Sequence, residues 1–255
     1  MALVSVIMPT YNCAKFIAES IDSVLAQTLT DWELEIVDDC STDNTYEILK
    51  PYLDKYPAIH YFRLSKNGGP AVARTEAIRR SNGKYIAFFD SDDLWHADKL
   101  EKQIAFMEKN NCDFSCTAYC QMDEDGNSLH RACFPPVKTD YGRMLRLSNP
   151  IGNTTVIYNS EKLGKYAVPP IRKRNDFALW LKILKDTRFC LGMQEVLATY
   201  RIRKNSVSSN KLSQIKYHWQ LYREIEKLNV FKSAFYVFCW AFVKGTGIGL
   251  KRKKI

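Results

Sequence analysis

The chain has 255 residues, 46% of them hydrophobic and 13% aromatic, enough for one large domain, or a domain with an appendage, around a substantial core. Its net charge of +9 is uneven: residues 211–255 hold ten Lys/Arg against Glu224 and Glu226, leaving 27 basic and 26 acidic residues before them. A nearly neutral body with a basic tail excludes a nucleic-acid enzyme, which spreads its basic residues around a groove.

The N-terminal MALVSVIMPTYN shows no signal-peptide pattern and passes straight into an apolar, β-rich run at 4–10. Ile17, Ile21, Val24 and Leu25 then recur at helical spacing. LEIVDD (34–39) predicts a second buried strand, and Ser41 or Asp43 is placed to cap the helix that follows. IHYFRL (59–64) is a third strand. Pro70 opens a helix that Gly83 ends, KYIAFF is a fourth strand, and ADKLEKQIAFMEKN is an amphipathic helix. Continuous apolar strands alternating with helices predict an α/β fold, a parallel sheet covered on both faces. Beyond residue 113 the pattern loosens. Two strands joined at Asp125-Gly126-Asn127 are followed by a strand at 153–159, a helix at 175–186, a short strand at 197–202, a polar loop at 203–211 and helices at 212–228 and 230–250. Eight scattered cysteines read as reduced, packed thiols of a cytosolic protein. Cys112, Cys116 and Cys120 lack the C-x₂-C spacing of a zinc knuckle, and His60, His96, His130 and His218 show no metal-binding arrangement.

Polar groups converge where an α/β sheet binds ligands, beyond the carboxyl ends of its strands. Pro9-Thr10-Tyr11-Asn12 follows the first strand, Asp38-Asp39 ends the second, Asn67-Gly68-Gly69-Pro70 follows the third, and Asp90-Ser91-Asp92-Asp93 ends the fourth. Asp39 can accept the N–H of a uracil imide while the Tyr11 ring lies on the base. Gly68 and Gly69 permit close backbone approach, the helix start after Pro70 suits an anion, and Arg74 one turn on can approach it. Three aspartates within four positions repel one another, and a divalent cation with a diphosphate would offset that cost. There is neither a P-loop nor a G-x-G-x-x-G motif, so phosphate is expected to be held through metal more than through a glycine nest.

With these residues in hand, VSVIMPTYN (4–12), SIDSVLAQT (20–28), IVDDCSTDNT (36–45), NGGPAVAR (67–74), IAFFDSDD (86–93), NDFALWLKIL (175–184) and YRIRKNSVSS (200–209) together resemble a family-2 glycosyltransferase of the GT-A fold. The likeness covers about 210 residues and is strongest to small bacterial enzymes that build capsule, O-antigen or cell-wall polysaccharide. It implies a nucleotide-binding half (1–110), an acceptor half (111–210), and inverting transfer of a sugar from a UDP-sugar to an acceptor hydroxyl on a lipid-linked glycan. It further implies nucleotide binding by Thr10, Tyr11, Asp39 and Arg74, with Pro9, Gly68 and Ser91 beside them. Asp90 and Asp92 match the DxD motif for Mn²⁺ or Mg²⁺, Asp92 as the direct ligand, and Asp176 matches the general base. Two positions depart from the pattern. Asn175 stands where the family often has Glu, and Arg203 stands where many relatives have His, so that Arg203 is expected on the diphosphate. Taken alone, Asp176 also suits a helix cap, and Trp180 suits core or acceptor-pocket wall. The polar 203–211 loop suits a lid over nucleotide.

The tail (211–255) contains VFKSAFYVFCWAFVK, whose uninterrupted apolar run of eleven residues between Lys232 and Lys244 is too short to span a bilayer. An aromatic helix with a basic end suits the cytoplasmic face of a membrane, and the competing expectation is a helix packed on the catalytic domain. Two other functions fit parts of the pattern. A sugar-phosphate nucleotidyltransferase would want a basic, glycine-rich first turn, where this chain has PTYNCAK. A non-catalytic nucleotide-sugar-binding protein would bind without turnover.

Overall fold

Alternation of side chains along the first strands feeds two separate cores, one on each face of the sheet. The computed structural model describes residues 2–147, 149–203, 211–246 and 251–254. Its first half runs β1 (Val4–Thr10), α1 (Ile17–Leu25), β2 (Trp32–Asp38), α2 (Thr45–Lys55), β3 (Ile59–Arg63), α3 (Pro70–Arg80), β4 (Tyr85–Phe88), β5 (Leu94–Trp95) and α4 (Lys99–Lys109). The strands pair in parallel in the order β3-β2-β1-β4. Val4, Val6 and Met8 pack with Ile17, Ile21 and Val24 of α1 and with Leu100, Ile104 and Met107 of α4. Ile7, Val37, Ile86 and Phe88 point the other way, onto Ala73 and Ala77 of α3.

The second half adds β6 (Phe114–Met122), β7 (Ser128–Phe134), β8 (Lys138–Thr139), α5 (Tyr141–Leu147), a 3₁₀ turn (Asn153–Thr155), β9 (Ile157–Asn159), α6 (Ser160–Leu163), α7 (Asn175–Asp186) and β10 (Cys190–Arg201). β9 enters antiparallel between β4 and β6, and β6 and β7 form the hairpin expected around Gly126. The strand predicted at 153–159 therefore begins as a 3₁₀ turn. The one predicted at 197–202 is the end of a much longer strand, parallel to β6 and bulged near Val196. All eight cysteines are free. Of the expected caps of α2, Asp43 Oδ1 accepts the Thr45 N–H of the first turn at 3.1 Å while its Oδ2 accepts the Ala14 N–H at 3.0 Å. Ser41 Oγ is drawn instead to the Asn12 N–H after β1, at 2.9 Å, and Asn44 holds the cap position without a side-chain bond.

The tail begins with α8 (Lys211–Gln220), which ends sooner than predicted in a π-helical turn (Leu221–Ile225). It continues as α9 (Val230–Thr246) and a short β11 (Lys251–Lys254) paired antiparallel to β7. His218, Leu221, Tyr222 and Trp240 are buried. Phe231, Phe235, Phe238 and Phe242 of α9 are 87%, 55%, 67% and 56% exposed. No helix among the described residues is long and apolar enough to cross a membrane.

The His218 ring lies 4.7 Å from that of Trp240, tilted by 36°, and among the described residues neither of its nitrogens has a hydrogen-bond partner. Burial, then the charges of Arg174 and Lys244, pull its pKa from 6.5 to about 2. The unfolded chain takes up that proton as pH falls below 6.5 and the folded chain does not. Stability is therefore whole above 6.5 and is lost below it, by roughly 1.4 kcal/mol per pH unit until the folded pKa is reached. His218→Phe should remove this acid sensitivity. In urea unfolding, its advantage over wild type should grow by about 2 kcal/mol between neutral pH and a pH about 1.5 units below 6.5; an unchanged difference would refute it.

Candidate active site

The carboxyl ends of β1 to β4 share one edge, where the acidic loop after β4 meets the start of α7. Arg74, reaching from the second turn of α3, organises the junction. Its Nη2 lies 2.6 Å from Asp90 Oδ1 and its Nη1 donates to Asn175 Oδ1 at 2.7 Å. Asn175 is thus a neutral acceptor for a buried guanidinium already paired with one carboxylate. Asn153 Nδ2 donates to the same Asp90 oxygen at 2.8 Å.

The three aspartates are accommodated in three ways. Asp90 pairs with Arg74, and Asp92 Oδ2 accepts from Arg203 Nη1 at 3.1 Å. Asp93 is fully buried, its Oδ1 accepting the Arg201 N–H at 2.9 Å. Burial, then the charges of Asp92 and Asp90, push the Asp93 carboxyl well above the usual range. Burial and the Asp90 charge also raise Asp92, against the opposing Arg203 hydrogen bond. Arg201 clamps the loop: its Nε donates to the Asp92 carbonyl at 2.9 Å and its Nη2 to Glu19 at 2.6 Å. Hard carboxylate oxygens at Asp90 and Asp92, one of them raised by burial and a like charge, fit a divalent cation such as Mn²⁺ or Mg²⁺, which would reverse that penalty.

Asp90 and Asp92 line a cavity of about 490 Å³ together with Arg74, Asp176, Tyr119 and Tyr200. Asp176 lies in the first turn of α7. The cap position belongs to Arg174, at φ 65° and without a side-chain bond, so Asp176 does not cap the helix. Its Oδ2 instead accepts from Asn149 Nδ2 at 2.8 Å, which orients the carboxylate. Trp180 is fully buried, its ring 4.9 Å from Phe88 and 5.7 Å from Phe114, so it is core rather than pocket wall.

The other predicted residues lie outside that cavity wall. Pro9 and Thr10 close β1, and Tyr11 is 48% exposed beyond them. Asp39 accepts the Gly68 and Gly69 N–H groups at 2.6 and 2.7 Å. The glycine turn expected to meet an external anion thus already holds Asp39, because β2 and β3 end side by side. Gly69 sits at φ 83°, which its lack of a Cβ permits. Ser91 is buried, and its carbonyl accepts from the Cys13 thiol at 3.3 Å. Of the predicted lid, residues 204–210 lie outside the described residues. One grouping is absent from the sequence expectations. Glu33, Glu35 and His60 place ligand atoms within 4.8 Å of one another, because β2 and β3 pair Glu35 with His60. Glu33 already accepts from Ser5 Oγ and the Asn82 N–H, both at 2.6 Å, and His60 Nδ1 lies 2.7 Å from Glu35 Oε1.

A mostly parallel α/β sheet with an acidic loop and a separately positioned carboxylate in one cavity at its edge has the layout of the GT-A fold. The glycosyl transferase family 2 model matches residues 5–167, and the chain belongs to that family. It is 43% identical to the putative teichuronic acid biosynthesis glycosyltransferase TuaG of Bacillus subtilis (strain 168), over 98% of this chain and 97% of that protein. It is 38% identical to the UDP-Glc:alpha-D-GlcNAc-diphosphoundecaprenol beta-1,3-glucosyltransferase WfgD of Escherichia coli, over 86% and 85% of the two chains. The fold matches S. aureus TarS 1–349 in complex with UDP-GlcNAc, with a TM-score of 0.72 at 22% identity, over 98% of this chain and 74% of that one.

Proposed function

We propose that this chain is an inverting glycosyltransferase that moves a sugar from a UDP-sugar to a hydroxyl of a lipid-linked glycan during bacterial surface-polysaccharide assembly. The observation that carries this reading is the shared cavity, into which β4 and α7 bring Asp90 and Asp92 on one side and Asp176 on the other element. The named activity of WfgD supports the donor and acceptor classes.

Each group has a task. Tyr11 offers a ring to the base, and Asp39, whose oxygens keep further lone pairs, can accept the uracil imide N–H. Arg74 fixes Asp90, and Arg203 is placed to exchange Asp92 for the donor diphosphate. The acceptor oxygen bonds to the anomeric carbon as that carbon's bond to the UDP oxygen breaks. The electron pair leaves with UDP, and the acceptor's proton passes to Asp176, held in place by Asn149. When bound, a divalent cation at Asp92 and Asp90 supplies positive charge to the departing diphosphate.

Thermal unfolding with UDP, GDP or ADP, with and without Mn²⁺, tests the donor and metal assignments. Near 100 times its dissociation constant, UDP with Mn²⁺ should add about 2.7 kcal/mol, roughly 5–10 °C for a chain of this size. Asp92→Asn should abolish the Mn²⁺-dependent part. No shift with any nucleotide would refute the donor assignment, and binding without turnover would favour a non-catalytic nucleotide-sugar-binding protein.

We place the enzyme on the cytoplasmic face of the membrane, through the exposed phenylalanines of α9 and the exposed Lys232 and Lys244 of the same helix. Full-length protein should float with anionic vesicles, and Phe231→Ser/Phe238→Ser should stay at the bottom of the gradient; equal flotation would refute this attachment.

A further inference from the structure

We infer that Arg172, Lys173, Arg174 and Lys244 form an acceptor subsite that takes the diphosphate linking the acceptor glycan to its lipid. This rests on the transfer reaction proposed above and goes beyond it, because it assigns a second anion site, distinct from that of the donor.

Near the acidic loop Arg74 pairs with Asp90 at 2.6 Å and Arg203 with Asp92 at 3.1 Å. The lining of the same cavity also carries Arg172, Lys173 and Arg174 from the segment leading into α7, and Lys244 from the last turn of α9. The carboxylate beside them is Asp176. A general base must face the acceptor hydroxyl, so cations running directly into its helix lie on the acceptor's side of the reaction.

Arg174 shows that the arrangement is built rather than incidental. It holds a left-handed backbone conformation at φ 65°, a strained choice for a side chain with a Cβ and one concentrated at ligand sites. Its Nη2 is fixed by Gln214 Oε1 of α8 at 2.8 Å. Burial pulls this guanidinium below its ordinary value, with the Asp176 charge opposing, so an incoming anion would offset a desolvation cost already present. A neutral glycan would not need four cations, whereas a phosphate diester takes bidentate bonds from guanidinium and point charges from lysine. Lys244 also brings the last turn of α9 into the cavity lining.

Farnesyl diphosphate is a suitable probe, its binding followed by tryptophan fluorescence in the presence of saturating UDP and Mn²⁺. Wild type should bind it without displacing UDP. Arg172→Ala/Lys173→Ala should weaken it about tenfold or more with UDP affinity unchanged. Arg174→Gly, which suits the left-handed backbone, should weaken it without loss of fold. Asp92→Asn should do the reverse, losing the Mn²⁺-dependent part of UDP binding and keeping the probe. Displacement of the probe by UDP, equal affinity for inorganic pyrophosphate, or unchanged binding in the variants would each overturn the subsite. Probe binding in a protein that takes no UDP would count against the donor reading alone. UDP binding without probe binding would overturn the subsite alone.

Discussion

Asp176→Asn is expected to lower the turnover of sugar transfer by about 10²–10⁴-fold while UDP still binds. Asparagine keeps the shape of the side chain and can still accept the Asn149 Nδ2 hydrogen bond that now spans 2.8 Å, so the wall of the cavity is preserved. What disappears is an oxygen able to accept the acceptor's proton. The loss of a first-turn acid from α7 weakens the helix by no more than about 1 kcal/mol, too little to mimic inactivation by unfolding. Product UDP release gives the turnover, and the UDP-induced shift in unfolding midpoint gives binding in the same protein. Undiminished turnover would remove Asp176 from the chemistry. A parallel loss of UDP binding would move it from the acceptor's proton to the donor.

Asp90 and Asp92 are legible from their place at the end of a strand, and Asp176, at the start of α7, only through the family resemblance; all three line one cavity. The less legible residues act through contacts that cross long stretches of chain. Asn153 reaches Asp90 only because β9 enters antiparallel beside β4 and sets a 3₁₀ turn against the acidic loop. Arg201 lies within YRIRKNSVSS (200–209), yet its clamp on Asp92, Asp93 and Glu19 depends on where β10 ends. Local pattern also misplaced Ser41 as a cap of α2, since its hydroxyl accepts from the turn after β1, 29 residues away, whereas Asp43 does meet the first N–H of the helix. Burial of His218 and Trp240 belongs to the same class, because the apolar periodicity of the tail does not say which face of a helix finds the core.

Arg74→Met should be the most destabilising single change at the site, and its response to metal should expose the reason. The guanidinium joins α3 to Asp90 and to Asn175 of α7, and its side chain is 10% exposed against 23% for Asp90. Removing one partner of a buried pair costs about 3–5 kcal/mol, and the partial exposure of Asp90 favours the lower end, near 3. For a chain of this size that corresponds to a fall of about 6–12 °C in the unfolding midpoint. Methionine fills much of the volume, so the loss is mainly that of charge and hydrogen bonds. Asp90 is then left with Asn153, close to Asp92 and Asp93, and its repulsion from them rises. Mn²⁺ should therefore raise the midpoint of the variant by more than that of wild type, since a dication replaces the missing positive charge. Arg74→Lys should fall between the two, because an ammonium cannot reach Asp90 and Asn175 with the same fork. A wild-type midpoint in Arg74→Met, or an equal Mn²⁺ response in both proteins, would mean that the acidic loop does not depend on Arg74 for its charge balance.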